Sequence, residues 1–275
     1  MRINVVHIRP TNNVHADGLR EVAETVHYAA LALGHDSTLR YNDFDPQALN
    51  VVIGWHLLSP TVLHRKATDH RIALYNLEQL TPTGLSERLI AASWSCMVYD
   101  YSKANVALLE ANGAKRVALL ELGHVDAMTR LTLGEPLTDV LFYGSLNARR
   151  TKVLDALRDT GLEVTHLFGV YGRKRDDYLE CARVVLCMHY YDAQIFEVVR
   201  CSYAWSNRIA VVAERNDLAT GHDGACLYAP YDGLVDACTS LVNDSTARSE
   251  QAQRGYDVWS QRRMEDSLRT ALDFA

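Results

Sequence analysis

The sequence lacks the features that mark several large classes of protein. In its 275 residues no apolar run approaches the roughly 18–20 residues that cross a bilayer. The strand-like run at the N-terminus meets Pro10 too early to be the apolar core of a signal peptide. The six cysteines include no Cys-x-x-Cys pair, so the ligand spacing of a zinc site is absent. We therefore expect a cytoplasmic protein with no membrane span and with free, mostly buried thiols.

Three common catalytic fingerprints are missing as well. No Gly-x-Gly-x-x-Gly follows the first predicted strand, which disfavours nicotinamide and flavin dehydrogenases. The chain contains neither the Gly-Lys-Ser/Thr of a P-loop nor the Gly-x-Ser-x-Gly of most α/β-hydrolases. A net charge of −6 argues against a broad nucleic-acid-binding face, which needs clustered basic residues.

Short apolar runs and amphipathic segments alternate between Leu141 and Glu214. The runs VLFYG, VTHLFG, VVLCM and IAVVA are too short for helices, and the segments between them have helical spacing. This alternation predicts a parallel sheet covered by helices on both faces. The first half of the chain repeats the pattern less regularly, so we predict two α/β domains. Parallel sheets of this kind bind ligands beyond the carboxyl ends of their strands, where we expect the functional site.

The second half contains three motifs at element ends: the strand end Leu186–His189, the helix start Phe196–Glu197 and the strand end Val211–Glu214. Together they resemble the GT-B glycosyltransferases, and more narrowly the C-terminal domain of the spore-maturation-type group. The resemblance extends over about residues 138–245. It implies two Rossmann-like domains that face each other across a cleft, with a C-terminal helix that crosses back to the first domain.

The resemblance also implies how the chain is divided. Residues 1–125 would form the acceptor-side domain, 126–138 a linker and 139–245 the domain that binds the nucleotide sugar. Residues 246–275 would form the helix that packs back on the first domain, with Trp259 and Phe274 as docking side chains.

The implied activity is transfer of a sugar from a UDP- or GDP-sugar to an acceptor hydroxyl, without a metal cofactor. The acceptor would be a glycan, a protein or a small molecule, and the acidic net charge disfavours DNA. The Glu-x7-Glu pair of many GT-B enzymes is reduced here to Glu197, so retaining and inverting mechanisms both stay open. Two alternatives are a non-catalytic protein that binds a nucleotide or sugar nucleotide, and a periplasmic-type binding protein. The absence of an export signal counts against the latter.

Candidate nucleotide-binding residues follow the strands of the second half. Gly144 would let the backbone approach a ligand, and the following helix, preceded by Ser145, would offer free N–H groups to an anion. Arg149, with Arg150 beside it, lies at the offset from Gly144 where the resembling enzymes bind the diphosphate, and it would stabilise the leaving group. Glu197 would accept the ribose hydroxyls, although a glutamate at a helix start is also favoured by the helix dipole. The remaining predicted substrate-binding residues are Gly169, Tyr171 (near the base), His189, Tyr190, Tyr191, Phe196 and Arg200. Arg200 lies one turn beyond Glu197 and would either pair with Glu197 or reach a phosphate.

Candidate catalytic bases follow strands of the first half. An inverting transferase needs a base with a pKa near the working pH to deprotonate the acceptor. His15, His56 and Glu78 are placed to do so, although each of them is also compatible with a local structural role. No metal ligands are predicted, because the Asp-x-Asp at Asp43–Asp45 precedes Pro46 and has the composition of a turn.

Overall fold

The chain forms two compact α/β units in the computed structural model. The first unit comprises Met1–Val125 and Arg263–Ala275, and the second comprises Asp126–Arg262. The residues that the structure describes are 1–80, 85–190, 196–215 and 222–274.

The first unit is built on a six-stranded parallel sheet. The strand order is β2-β1-β3-β4-β5-β6, and the central strands are buried over nearly their whole length. Such buried runs are expected where helices cover both faces of a parallel sheet. The strands are β1 (Arg2–His7), β2 (Asp36–Tyr41), β3 (Leu49–Ile53), β4 (Ile72–Asn76), β5 (Met97–Asp100) and β6 (Val117–Leu119). The helices are α1 (Arg20–Ala32), α2 (Pro60–Asp69), α3 (Leu85–Ala92) and α4 (Lys103–Ala111).

The second unit is built on a five-stranded parallel sheet in the order β11-β10-β9-β7-β8. The order reverses between β7 and β9, which makes that edge the topological switch point where ligands of such sheets bind. The strands are β7 (Thr138–Tyr143), β8 (Val164–Leu167), β9 (Ala182–Cys187), β10 (Ala210–Glu214) and β11 (Leu227–Ala229). The helices are α5 (Ala148–Asp159), α6 (Arg173–Leu179), α7 (Val198–Ser206), α8 (Leu234–Asn243) and α9 (Ser245–Ser260).

Several helices begin where the sequence places a capping residue. Ser59 caps α2 by accepting a hydrogen bond from the Val62 N–H, and Pro60 occupies the first helical position. Asn147 caps α5 by accepting from the Arg150 N–H at 2.9 Å. These caps fix the first turns of the two helices and therefore the direction of the side chains that they carry.

The C-terminal segment differs from the single helix that the sequence predicted. It forms α9 and then α10 (Met264–Leu272), which are separate helices in different units. Trp259 packs on Trp205 and donates to the Ser206 hydroxyl at 3.0 Å, both within the second unit. Phe274, the other predicted docking residue, follows α10 and is 63% exposed. Helix α10 does pack in the first unit, where the Tyr99 hydroxyl donates to the Ala271 carbonyl.

The segment predicted as a linker is held on the second unit. The side chain of Asn207, which follows α7, accepts from the N–H groups of Arg130 and Leu131 and donates to the Met128 carbonyl. One amide side chain thus satisfies three backbone groups of a segment that has little regular structure.

No helix in the described ranges is long and apolar enough to cross a membrane. All six cysteine thiols are free, and only Cys181 is not buried.

Helix α9 approaches its neighbours so closely at Gly255 that a side chain there would force them to shift. A Cβ atom at Gly255 would lie 2.8 Å from the Ala225 carbonyl oxygen and 3.1 Å from Cδ1 of Trp205. We expect Gly255→Ala to lower the free energy of unfolding by about 1–3 kcal/mol, because the overpacking outweighs the gain in helix propensity. Thermal unfolding measures this change, with Gly134→Ala as the matched control, since a Cβ there meets nothing within 4 Å. An unchanged melting temperature in Gly255→Ala would contradict the close packing of α9.

Candidate functional site

Charged side chains gather at the carboxyl ends of three neighbouring strands in the second unit. Strand β9 lies between β7 and β10 in the sheet, so the residues that follow the three strands share one edge. Helices α5 and α7 begin at the same edge and carry the charged residues Arg149, Arg150 and Arg200, with Glu197 at the N-cap of α7. Glu214 ends β10 and completes the cluster. We refer to these five residues as the switch-point cluster.

Arg149 is fixed by contacts on its edge and on its face. Its Nη1 and Nη2 atoms both donate to the Glu214 carboxylate, and Nη1 also donates to the His189 carbonyl at 3.3 Å. The guanidinium carbon lies 3.9 Å from the ring centroid of Tyr231, whose hydroxyl donates to the Arg149 carbonyl at 2.8 Å. About a fifth of the Arg149 side chain stays exposed.

Arg150 is buried and is engaged mainly by backbone carbonyls. It is 1% exposed and donates to the carbonyls of Ser145, Met188 and His189. Its Nη2 also donates to the Glu197 carboxylate at 3.1 Å. Burial, followed by the charge of Arg200, lowers the pKa of Arg150. The side chain therefore ties the exits of β7 and β9 together, and it is less accessible to a diphosphate than Arg149.

Glu197 lies between two guanidinium groups. It forms ion pairs with Arg150 and, one turn along α7, with Arg200. The side chain of Glu197 is 15% exposed. The pairing of Glu197 with Arg200 was one of the two roles that the sequence left open for Arg200. The switch-point cluster therefore pairs three guanidinium groups with two carboxylates.

The Arg200 side chain packs close to the backbone at Gly144. Gly144 has φ = +139°, and a Cβ atom there would lie 3.1 Å from Nη2 of Arg200. Its carbonyl accepts from Nε2 of His166 at 2.8 Å. The glycine predicted for close approach to a ligand thus also makes room for a guanidinium group.

His189 follows β9, and its backbone groups, but not its ring nitrogens, form hydrogen bonds with described residues. Its N–H donates to Glu214 at 3.0 Å, while its carbonyl accepts from Arg149 and Arg150. The residue is 4% exposed, and neither ring nitrogen has a hydrogen-bond partner in the described part of the chain. Burial lowers the pKa of His189, so the ring is neutral near pH 7.

The other predicted substrate-binding residues have different environments. Tyr190 faces the Arg150 guanidinium, whose central carbon lies 5.2 Å from the ring centroid. Gly169 and Tyr171 follow β8, the edge strand next to β7, and are half-buried. Tyr191 lies outside the described residues. The prediction for Phe196 needs correction: it is 4% exposed and its ring stacks on that of Trp205, so it belongs to the core.

The first unit brings together two of the three candidate bases. His56 lies in a short 3-10 helix after β3, and Glu78 follows β4, the neighbouring strand. Nε2 of His56 is 3.7 Å from Oε1 of Glu78. Burial lowers the pKa of His56, whereas the Glu78 carboxylate opposes this shift. Arg88 holds the loop by donating to the carbonyls of His56 and Leu58. The arrangement provides a neutral imidazole beside a carboxylate.

A buried polar network fixes the backbone of Glu78. Asn76 and Asn105 both donate to the Glu78 carbonyl, at 2.9 and 3.0 Å, and both donate to the Asp100 carboxylate. Asp100 ends β5 and is fully buried; burial raises its pKa to about 7. His15 lies instead at the exposed start of the 3-10 helix Val14–Leu19, where its N–H donates to the Asn13 side chain.

The described residues offer no obvious metal centre. No group of three or more His, Cys, Asp or Glu side chains in those ranges is arranged to hold a metal ion. Asp45 accepts from the Gln47 N–H at 2.8 Å, as in a turn. Metal-independent chemistry stays a prediction.

Glu214 and Tyr231 contact Arg149, although neither residue was among the predicted site residues. For Glu214 a signal was present, because it is a charged residue at the end of a buried parallel strand, at the edge where the other candidates lie. Tyr231 lies beyond β11 and carried no comparable signal.

Comparison with known proteins shows the fold. No protein-family model matches the chain. Uncharacterized protein R358 of Acanthamoeba polyphaga mimivirus is 24% identical over 246 residues, which cover 86% of this chain and 82% of that protein. Anabaena Alr3699/HepE in complex with UDP-glucose has a TM-score of 0.64 at 12% identity, and all of both chains is covered. T4 phage β-glucosyltransferase has a TM-score of 0.61 at 12% identity, over 99% of this chain and 100% of that one. These likenesses confirm the predicted α/β fold class, with two Rossmann-like sheets of the GT-B type.

Proposed function

We propose that the protein is a cytoplasmic glycosyltransferase that moves a sugar from a nucleoside-diphosphate sugar to an acceptor hydroxyl. The switch-point cluster is the observation that carries the proposal, because it places arginines and a carboxylate where sheets of this order bind nucleotides. The fold neighbours support it: HepE is seen with UDP-glucose, and the T4 enzyme is a β-glucosyltransferase. The narrower likeness to the spore-maturation-type group is part of the same proposal.

The donor site lies in the second unit. Glu197 accepts the ribose hydroxyls, Arg149 binds the diphosphate and Tyr171 lies near the base. During transfer, the bond between the anomeric carbon and the diphosphate oxygen breaks and its electron pair stays on that oxygen. Arg149 stabilises the developing charge. No step is assigned to a metal ion.

The acceptor is bound by the first unit. His56 takes the proton of the acceptor hydroxyl as the new bond to the anomeric carbon forms, and Glu78 orients and stabilises the imidazolium. The acceptor is a glycan, a protein or a small molecule; DNA is disfavoured by the net charge of −6.

Donor binding and hydrolysis test the proposal. A thermal-shift screen with UDP-, GDP- and other nucleotide sugars should give a higher melting temperature with the correct donor. Slow release of free nucleoside diphosphate in the absence of an acceptor should follow. Binding without any release or transfer would instead favour a non-catalytic sugar-nucleotide-binding protein. A panel without any binding would refute the donor site.

Replacing Glu197 should weaken nucleotide binding and remove the preference for ribose. We expect Glu197→Ala to weaken UDP or GDP binding by about 1–3 kcal/mol, since a charged hydrogen-bond acceptor is lost. Glu197→Ala also removes the carboxylate that pairs with Arg150 and Arg200, which changes the charge of the site. Calorimetry with the ribose and 2′-deoxyribose nucleotides separates the loss of the ribose contact from this change in charge. The wild-type protein should prefer the ribose form, and the variant should not. Glu180→Gln, which removes the negative charge paired with the exposed Arg173 in the same unit, is the matched control. A preference for ribose that survives in Glu197→Ala would exclude Glu197 from the ribose site.

A further inference from the structure

Glu214 makes contacts with two different elements at the switch point. It is 7% exposed, and its Oε2 atom accepts from Nη1 of Arg149 at 2.7 Å and from the His189 N–H at 3.0 Å. Its Oε1 atom accepts from Nη2 of Arg149. Both carboxylate oxygens therefore accept from the Arg149 guanidinium, and this paired arrangement matches the geometry of the two groups.

The contacts of Glu214 and Tyr231 hold Arg149 from two directions. Glu214 holds the edge of the guanidinium group, and the Tyr231 ring covers one face at 3.9 Å. The two residues come from β10 and from the 3-10 helix Tyr231–Gly233, so their positions are set by separate parts of the fold. The arginine is oriented by protein contacts alone, which avoids an ordering cost when a ligand binds.

The carboxylate also changes the charge that a ligand meets. In the described part of the chain, the switch-point cluster has one positive charge more than it has negative charges, and loss of Glu214 would leave two. A nucleoside-diphosphate sugar carries one negative charge on each phosphate. The nucleoside diphosphate that leaves carries about one more negative charge than the donor, because its terminal phosphate has a second pKa near 6. Excess positive charge would therefore strengthen product binding more than donor binding.

We propose that Glu214 is a positioning residue that aims Arg149 at the diphosphate and offsets part of its charge, so that the product is released. This inference rests on the proposed transferase function. An ion pair that only joined the exits of β9 and β10 would affect stability, but it would not change the relative affinities for product and donor.

Glu214→Gln separates these two roles, because it removes the charge while the side chain keeps its length. We expect the variant to bind UDP about tenfold more tightly, to bind UDP-glucose with a smaller gain and to have a lower kcat. GDP and GDP-mannose replace these probes if the thermal-shift screen selects guanosine. Calorimetry gives the two affinities, and their ratio is the readout. Glu180→Gln should leave both affinities and kcat unchanged. An unchanged ratio in folded Glu214→Gln would overturn the charge role.

Tyr231 provides a second variant that leaves the formal charge intact. Tyr231→Leu removes the ring from the face of Arg149, whereas Tyr231→Phe keeps the ring. We expect Tyr231→Leu to lower kcat with a wild-type affinity ratio, and Tyr231→Phe to recover most of the loss. If Glu214→Gln does not fold, Tyr231→Leu still tests whether turnover depends on a fixed Arg149. A wild-type kcat in Tyr231→Leu would show that it does not, and would overturn the positioning role. If the wild-type protein neither binds nor uses a sugar nucleotide, the proposed function itself fails. If the wild-type protein does transfer sugar and Glu214→Gln leaves the ratio of product and donor affinities unchanged, only the role of Glu214 fails.

Discussion

Replacing His56 with alanine should lower kcat for sugar transfer by about 10²–10⁴-fold and leave donor affinity unchanged. The reason is that the variant loses the group that takes the acceptor proton, while the donor contacts in the second unit stay intact. Steady-state kinetics with the donor found in the thermal-shift screen measures kcat, and calorimetry measures donor affinity. His64→Ala removes an exposed histidine of α2 in the same unit and is the matched control. A wild-type kcat in His56→Ala, with a large loss in His15→Ala, would move the base to His15.

The pH dependence gives an independent test of the His56–Glu78 pair. The base must be neutral, so kcat should fall as the pH drops through the pKa of His56. Burial places that pKa below its usual value of 6.5, so the fall should lie on the acid side of 6.5. Glu78 opposes this shift, and Glu78→Gln should therefore move the fall to a still lower pH and reduce the plateau rate. A fall that moved to higher pH in Glu78→Gln would contradict the pairing.

Much of the fold follows from short-range patterns in the sequence. Buried strands such as Leu49–Ile53 are short apolar runs, and helix starts such as Ser59 and Asn147 carry capping side chains. Both are local signals that do not depend on the rest of the chain. The break between α9 and α10 could not be found in this way, because amphipathic spacing continues across it. Its position is set by long-range contacts such as Trp259 with Trp205 and Tyr99 with Ala271.

The candidate site was predictable to the extent that strand ends define it. Gly144, His189 and Glu197 follow adjacent strands, so their proximity follows from the parallel topology. The contacts of individual side chains could not be predicted from the topology. Whether Arg149 or Arg150 has its guanidinium accessible depends on the rotation of the first turn of α5, which places Arg150 under the β9 exit. A sequence pattern treats the two neighbouring arginines as equivalent, but the folded chain does not.

Arg149→Met should lower kcat by about 10²–10³-fold, because it removes a donor aimed at the developing charge of the leaving diphosphate. Affinity for the donor sugar nucleotide should fall less, since its charge is smaller than that of the transition state. Arg149→Lys should recover only part of the rate, because an ammonium group cannot make both contacts with the Glu214 carboxylate. Arg158→Met, on the same helix and exposed, is the matched control.

The neighbouring arginine should respond differently. Arg150→Met leaves the carbonyls of Ser145 and Met188 without their donors, together with one partner of Glu197. We expect it to lower the free energy of unfolding by about 3–5 kcal/mol, as for other buried charge pairs that lose one member. Thermal unfolding and single-turnover rates measured on both variants decide between the two roles. A stable Arg150→Met with a large loss of kcat, beside an active Arg149→Met, would reverse the assignment. It would make Arg150 the group that meets the diphosphate.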